Sequence, residues 1–328
     1  MKVNNLLVTG AAGFIGSNFV KFLSDDKEKI CDRIIILDFL TYCGRIENLI
    51  FDNFKHPNYL FVYGDICDRD LLDRVFQEYE IDGVINFAAE SHVDRSIATP
   101  RTFGQTNVGG TVALLDMAVK YKVQRFMQIS TDEVYGSLGA KDKSFTEESP
   151  LKPNSPYSAS KAGADCFALS YQKTFGLPVV VSRSSNNFGP NQFPEKFVPL
   201  SIINALQDKQ IPIYGNGDNI RDWIYVDDNC SAIAKIFRSG RDGEIYNISG
   251  GNELGNLEVA KRILSVLAKS DSLIKFVADR PGHDFRYSLN SDKLKNELGW
   301  SPQVSFANGL DKTINFYSKN LLRYTEKR

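Results

Sequence analysis

The chain has 328 residues, 42% of them apolar and 24% charged, a balance that suits a soluble globular enzyme built as one large domain or two smaller ones. A formal net charge of −1 gives no general attraction to nucleic acid or an anionic membrane, so an anionic ligand has to be met by local positive charge. Five scattered cysteines without a C-x-x-C pair point to a reducing, cytoplasmic compartment; three histidines show no metal-ligand spacing, and no apolar run reaches membrane length.

From the N-terminus, "NLLVTG" (5–10) reads as a strand and 14–25 as a helix, with Gly10, Gly13 and Gly16 between them in G-x-x-G-x-x-G spacing. Glycines let the backbone turn sharply and approach a pyrophosphate, whose charge then sits at a helix N-terminus. A plain tight turn could use the same triplet. Here the next apolar run, "RIIILD" (33–38), ends in Asp38. A carboxylate at that place accepts hydrogen bonds from a ribose 2′-hydroxyl and repels a 2′-phosphate, which favours NAD over NADP. The third run, "YLFVYGD" (59–65), closes on Asp65, which either meets an adenine amino group or serves as a turn aspartate.

Helical patterns over 68–79, 103–121 and 157–175 then alternate with strand-like runs over 83–89, 125–130 and 178–183. Near-continuous apolar strands separated by helices predict a Rossmann-like, doubly wound parallel α/β sheet covered on both faces. The run "RFMQIS" is followed by Thr131, Asp132 and Glu133. Two adjacent acids can be a simple polar turn. They can both act on one ligand only if the chain has left the strand by then, since consecutive strand residues point to opposite faces. "PYSASKAGAD" places Tyr157 and Lys161 one helical turn apart, on one face. A phenol is a poor base near neutrality unless a neighbouring ammonium and a cationic nicotinamide ring stabilise its phenolate.

Beyond 184 the rhythm changes. "SSNNFGPNQFPEK" (184–196) reads as a long functional loop, followed by short strands near 211–215 and 244–249 and a helix near 306–318. The expected division is an NAD-binding domain over 1–184 and a smaller mixed α/β substrate domain over 185–328, with segments near 221–250 returning to the first.

The glycine loop, Asp38, the Ser130-Thr131…Tyr157-x-x-x-Lys161 set and the C-terminal half together resemble the extended short-chain dehydrogenase/reductase family, which acts mainly on nucleotide sugars. That resemblance implies NAD held by Gly10, Gly13, Phe14, Ile15, Gly16, Asp38, Thr41, Asp65, Ile66, Ala88, Ala89, Thr106, Tyr157, Lys161 and Asn187. It implies a nucleotide sugar held by Ser91, Thr131, Asn186, Lys196, Phe197, Pro212, Ile213, Tyr214, Arg221, Asn256, Arg280 and His283, and a homodimer formed through the helices near 103–121 and 157–175.

"STDEVYG" is similar to the signature of the branch that dehydrates dTDP-glucose, in which an acid pair replaces the non-acidic residues of the 4-epimerases; GDP-mannose dehydratases carry a serine at the aspartate position. Oxidation at C4 of a hexose acidifies C5–H and leaves the C6 hydroxyl β to a carbonyl. A base and an acid are then both needed, and neighbouring carboxyls tend to divide those roles. The resemblance implies Asp132 as the acid, Glu133 as the C5 base, Thr131 as donor to the C4 oxygen, Tyr157 as its base and Lys161 as the tyrosine's partner. A 4-epimerase, a dehydratase for UDP- or CDP-glucose and a non-catalytic dinucleotide-binding regulator are the rival readings. Phe39, Cys43, Arg45 and Ile46 depart from the branch's usual Asn, Ala, Asn and Leu, and Phe197 from its leucine.

Overall fold

The apolar runs of the first half become strands of one parallel sheet in the computed structural model, which describes residues 1–25, 29–49, 58–279 and 282–325. These strands are β1 (Val3–Thr9), β2 (Cys31–Asp38), β3 (Tyr59–Tyr63), β4 (Gly83–Asn86), β5 (Arg125–Thr131) and β6 (Val179–Ser184). Successive strand side chains alternate faces, and here both sets are apolar. Leu6, Val8, Ile34, Ile36 and Ile85 pack in one core cluster; Leu7, Ile35, Val84 and Phe126 pack in the other. Both faces must therefore be covered. α1 (Phe14–Ser24) covers the first through Phe19 and Val20. α2 (Arg69–Glu78) contributes Leu72 and Phe76 to the second.

The helix expected over 103–121 is interrupted. After α3 (Val93–Ala98) and α4 (Pro100–Phe103) the chain makes a π-helical stretch from Gly104 to Gly110 before α5 (Thr111–Lys120). Such stretches often sit at functional sites. α6 (Pro156–Phe175) has clear boundaries: Ser155 accepts from the Ser158 amide, Pro156 opens the helix, and Gly176 ends it in the left-handed region at φ +69°.

The stretch 184–196, expected to be loop throughout, contains a short strand. β7 (Asn186–Phe188) pairs in parallel with a later strand, Asn186 opposite Trp223 and Phe188 opposite Tyr225. Its asparagines carry no apolar alternation, so the strand shows only through its distant partner. α7 (Phe197–Leu206), β8 (Ile211–Tyr214) and that partner, β9 (Ile220–Tyr225), begin a second core around Phe188, Ile202, Ile213 and Trp223.

α8 (Val226–Ser239) and β10 (Ile245–Ile248) lie with the large sheet, whose order is β10-β6-β5-β4-β1-β2-β3. Ile233 and Phe237 of α8 share the core cluster of Phe19 and Val20. β11 (Glu253–Gly255), α9 (Asn256–Val266) and β12 (Ile274–Val277) go back to the smaller unit, where Val259 and Ile263 join the second core. α10 (Asp292–Leu298) then sends Leu294, with Trp300 beyond it, into the large sheet's cluster, while α11 (Phe306–Lys319) returns Phe306 and Leu310 to the second core, and α12 (Leu321–Thr325) follows. The chain thus crosses between its two cores more often than the sequence pattern indicated. Neighbours β1 and β4 send their connections in opposite directions, which opens a crevice at their carboxyl ends. Among the described residues no helix is long and apolar enough to cross a membrane.

Phe188 joins the second core to the loop beside the crevice: it is fully buried, with ring centroids 5.1 Å from Phe306 and 5.7 Å from Tyr225. Phe188→Ala is expected to cost about 3–5 kcal/mol, read as a lowered urea midpoint. A loss below ~1 kcal/mol would mean that this cluster does not hold the smaller unit together.

Candidate active site

A cavity of about 890 Å³ opens at the carboxyl ends of β1 and β4. Gly10 has φ +66°, and a Cβ there would come within 2.6 Å of the Ala88 backbone; a Cβ on Gly16 would meet the Gly10 carbonyl at 2.5 Å. Only glycine allows this approach of loop, strand end and helix. The first turn of α1 has no side-chain cap, so its amides suit an anion.

Asp38 is nearly buried. Its Oδ2 accepts from the Ala12 amide and its Oδ1 from the Leu40 amide, both at 2.8 Å. Burial raises its pKa while those two amides pull it back down. Each carboxylate oxygen keeps a lone pair for a ribose hydroxyl. Asp65 accepts from the Cys67 amide at 2.9 Å in a turn and also lines the cavity. Phe14, Ile15, Thr41, Ile66, Ala88, Ala89, Thr106 and Asn187 lie on the same wall. Oδ1 of Asn186, Oδ1 of Asn187 and Oε1 of Gln192, all on residues of that wall, are buried with no protein donor. A glycine cradle, a bare helix N-terminus, a ribose-facing acid and unpartnered polar atoms fit a dinucleotide.

The acid pair lies where the strand stops. β5 ends at Thr131, and Asp132–Tyr135 form a single 3₁₀ turn. The Thr131 hydroxyl accepts from the Glu133 amide at 3.2 Å and donates to Oδ1 of Asp132 at 3.1 Å. Thr131, Asp132 and Glu133 therefore line one cavity, an arrangement a continuing strand would have prevented. Asp132 is 2% exposed and its Oδ2 has no protein partner. Burial first, and the charge of Glu133 second, hold its pKa well above the usual carboxyl range; the Thr131 hydrogen bond opposes them more weakly. The shift favours the protonated form of Asp132 beside a more exposed Glu133.

Tyr157 and Lys161 line the cavity from the first turns of α6. The Lys161 ammonium donates to the Ile129 carbonyl of β5. Burial pulls its pKa down to about 8, and Asp165, one turn further along α6, opposes that fall. The Tyr157 phenol is raised, by burial first and then by Glu133 and Asp132. The expectation is of an ammonium acting together with a cationic nicotinamide ring, not of Lys161 alone. The side chains alone do not make the phenol a base, and the cationic nicotinamide ring has to supply the rest.

The nucleotide end is less assembled. Ser91, Asn186 and Lys196 line the cavity, with the Lys196 ammonium donating to the Ser91 carbonyl at 2.6 Å. Phe197, Pro212, Ile213, Tyr214, Arg221, Asn256 and His283 lie off this wall, and Arg280 lies outside the described residues. Ile213 is 1% exposed in the second core, so a ligand contact from it would come from its backbone. Half-exposed Tyr214 meets the His283 ring edge-on at 5.9 Å, and His283 Nδ1 pairs with Asp279 at 2.6 Å. Arg221 is buried, donates to the carbonyls of Ile220, Asp284 and Phe285, and lies 4.4 Å over the Tyr287 ring.

Several wall residues escaped the sequence reading: Glu90, Ser184, Gln192, Phe193 and Glu195. Tyr42 donates to Glu195 at 2.8 Å, joining the loop after β2 to the one after β7. The polar "GPNQFPEK" run carried that signal only in part. Of the departing residues, Phe39 and Cys43 face the cavity, Phe39 stacks on Tyr63, and Arg45 lies over Phe193 and Tyr324.

The family model described as GDP-mannose 4,6 dehydratase matches residues 7–313. The chain belongs to this family. Within it, the Low-salt glycan biosynthesis protein Agl12 of Haloferax volcanii is 49% identical over 95% of this chain and 98% of its own length. A dTDP-glucose 4,6-dehydratase of Neisseria gonorrhoeae is 47% identical over 97% of each chain. The crystal structure of DesIV, a dTDP-glucose 4,6-dehydratase of Streptomyces venezuelae with NAD and TYD bound, superposes with a TM-score of 0.95 at 49% identity, covering 98% of this chain and 99% of that one. These likenesses agree with the branch that "STDEVYG" pointed to.

Gly10→Ala tests the cradle. It is expected to weaken NAD binding on the order of 10- to 100-fold by calorimetry on nucleotide-stripped protein, because both φ and the Ala88 contact oppose a methyl group. Unchanged affinity would place the dinucleotide elsewhere.

Proposed function

We propose that the protein is a lyase that converts dTDP-glucose to dTDP-4-keto-6-deoxyglucose, with NAD bound and no net redox change. The observation that carries this reading is the acid turn, a buried Asp132 beside Glu133 on the cavity wall shared with Thr131 and Tyr157, where burial and the neighbouring acid favour a protonated Asp132. The glycine cradle, Asp38 and Lys161 would hold NAD, which when bound would supply hydride exchange with C4 and then C6 of the sugar.

The chain's own residues do the rest. Thr131 donates to the C4 oxygen and Tyr157 takes the proton from it, while the Lys161 ammonium stabilises the phenolate and holds the nicotinamide ribose. With a ketone at C4 the C5 proton is acidic, and Glu133 removes it. Asp132 delivers its own proton to the C6 oxygen, which leaves as water. Glu133 returns a proton to C5 as hydride enters C6, and the proton Tyr157 took from the C4 hydroxyl makes good the one Asp132 gave up. Lys196, Ser91 and Asn186 hold the sugar diphosphate from the wall, joined by Arg221 and Arg280. Phe197, Pro212, Ile213 and Tyr214 enclose the base, with Asn256 and His283 beside them. A 4-epimerase needs a single proton relay and has no use for a buried, protonated Asp132, and a non-catalytic binder has no use for Tyr157 and Lys161.

We place the enzyme in the cytoplasm, which its free cysteines suit. We pair it with a second copy through α5 and α6. Phe167 and Phe175 on α6 are 42% and 58% exposed, an apolar face that a partner helix would cover.

Incubation with dTDP-, UDP- and CDP-glucose, read by mass spectrometry, is expected to give loss of one water from the dTDP sugar most rapidly. Conversion to a galactose nucleotide without loss of mass would establish the epimerase instead. Glu133→Gln is expected to leave C4 oxidation in place and to slow deuterium entry at C5 by about 10²-fold or more. Exchange at the wild-type rate would remove Glu133 from the base role.

A further inference from the structure

We infer that Asp165 is a positioning residue: from inside the protein it ties the three segments that carry the proton-transfer groups to one another and sets a carboxylate one helical turn from Lys161. This rests on the reading of Tyr157 and Lys161 given above.

Asp165 is wholly buried on α6, one turn beyond Lys161. Its Oδ2 accepts from the Ser130 hydroxyl and from Nε of Arg183, each at 2.9 Å. Ser130 is the residue before Thr131, so the first bond fixes the end of β5 against the helix that carries Tyr157. Arg183, 2% exposed on β6, lies 4.8 Å over the ring of Tyr135, the last residue of the acid turn. Tyr135 in turn donates to Oδ1 of Asn247 on β10 at 2.8 Å. One carboxylate thus joins the helix of Tyr157 and Lys161, the strand end of Thr131 and, through Arg183, the turn of Asp132 and Glu133.

Packing alone does not call for a charge here. An apolar residue of similar volume between helix and strand is often at least as stabilising as a buried ion pair. Oδ1 of Asp165 has no hydrogen-bond partner, so part of the carboxylate's burial is left uncompensated by local bonds. What the negative charge does achieve is to favour the ammonium of Lys161, which burial otherwise discharges. The elements packed on α6 bring other charges: Asp132 and Glu133 from the turn, Arg183 from β6, Asp94 and Arg95 from α3, Arg101 from α4, and Asp116 and Lys120 from α5. Asp116 is engaged by Arg69 and Tyr171, Lys120 by Asp73, and Arg95 lies over Tyr42; Asp165 is the charge that acts on Lys161.

The test is Asp165→Asn in the full-length holoenzyme. In protein labelled with 13C at the lysine Cε, the Lys161 resonance, assigned with Lys161→Met, is expected to titrate near pH 8 in the wild type. In Asp165→Asn the midpoint is expected to fall by about one pH unit or more. The alkaline limb of single-turnover dTDP-glucose oxidation should move to lower pH with it. A folded Asp165→Asn protein with the wild-type midpoint and wild-type kcat would reduce Asp165 to a packing residue. Ser130→Ala keeps the charge and removes one bond. It is expected to lower kcat about three- to tenfold with KM and the Lys161 midpoint unchanged, and it decides the matter if Asp165→Asn does not fold. Wild-type kcat in Ser130→Ala would then overturn the proposal. Because the lysine titration needs no turnover, a wild type that fails to oxidise dTDP-glucose would defeat the functional reading and leave this result standing on its own.

Discussion

Burial of the Asp132 carboxyl beside Glu133, with one oxygen on the Thr131 hydroxyl and the other facing no protein donor, is the constraint from which the site's chemistry follows. A carboxylate there would have one donor, the Thr131 hydroxyl, and little solvation, which favours the protonated form. Glu133, one residue on and more exposed, supplies the charge that makes ionisation of its neighbour harder still. Two carboxyl groups are thus set in unlike surroundings by position alone, as the acid and base roles proposed for them require. The arrangement exists because β5 ends at Thr131 and the threonine hydroxyl caps the turn that follows.

The rest of the fold brings partners to that turn. The crevice between β1 and β4 receives the dinucleotide end, and α6 presents Tyr157 and Lys161 from the side. The 184–196 stretch, anchored by the pairing of β7 with β9, closes the cavity with Asn186, Asn187 and Lys196. α8 and β10 bind the second half of the chain to the large sheet and seat Asn247 against Tyr135. The residues expected to serve hydride exchange therefore sit with the large sheet and its helix α6, while the groups expected to select the nucleotide project from the smaller core.

The legible parts of the sequence were the local ones. Gly10, Gly13, Gly16 and Asp38 announce a cradle because strand, turn and helix follow one another within a short stretch, and Tyr157 and Lys161 meet by helical spacing alone. What sequence could not give depended on distant chain. β7 is two asparagines and a phenylalanine until β9 pairs with it. The π-helical stretch before α5 breaks a pattern that reads as plain helix. Arg221, expected to meet the substrate, has its guanidinium engaged with carbonyls of residues 284 and 285, which are more than sixty residues away. Ile213 looked available and is core. The turn of Asp132 and Glu133 was readable as a requirement of the chemistry, but the burial that raises the Asp132 pKa is a property of the folded molecule.

The most direct test of that central point is infrared difference spectroscopy of wild type against Asp132→Asn at neutral pH. The wild type should show a protonated carboxyl C=O band that the variant lacks and that persists until the pH is well above the ordinary carboxyl range. A difference spectrum showing only the loss of an ionised carboxylate would contradict the account, because Asp132 would then have no proton to give.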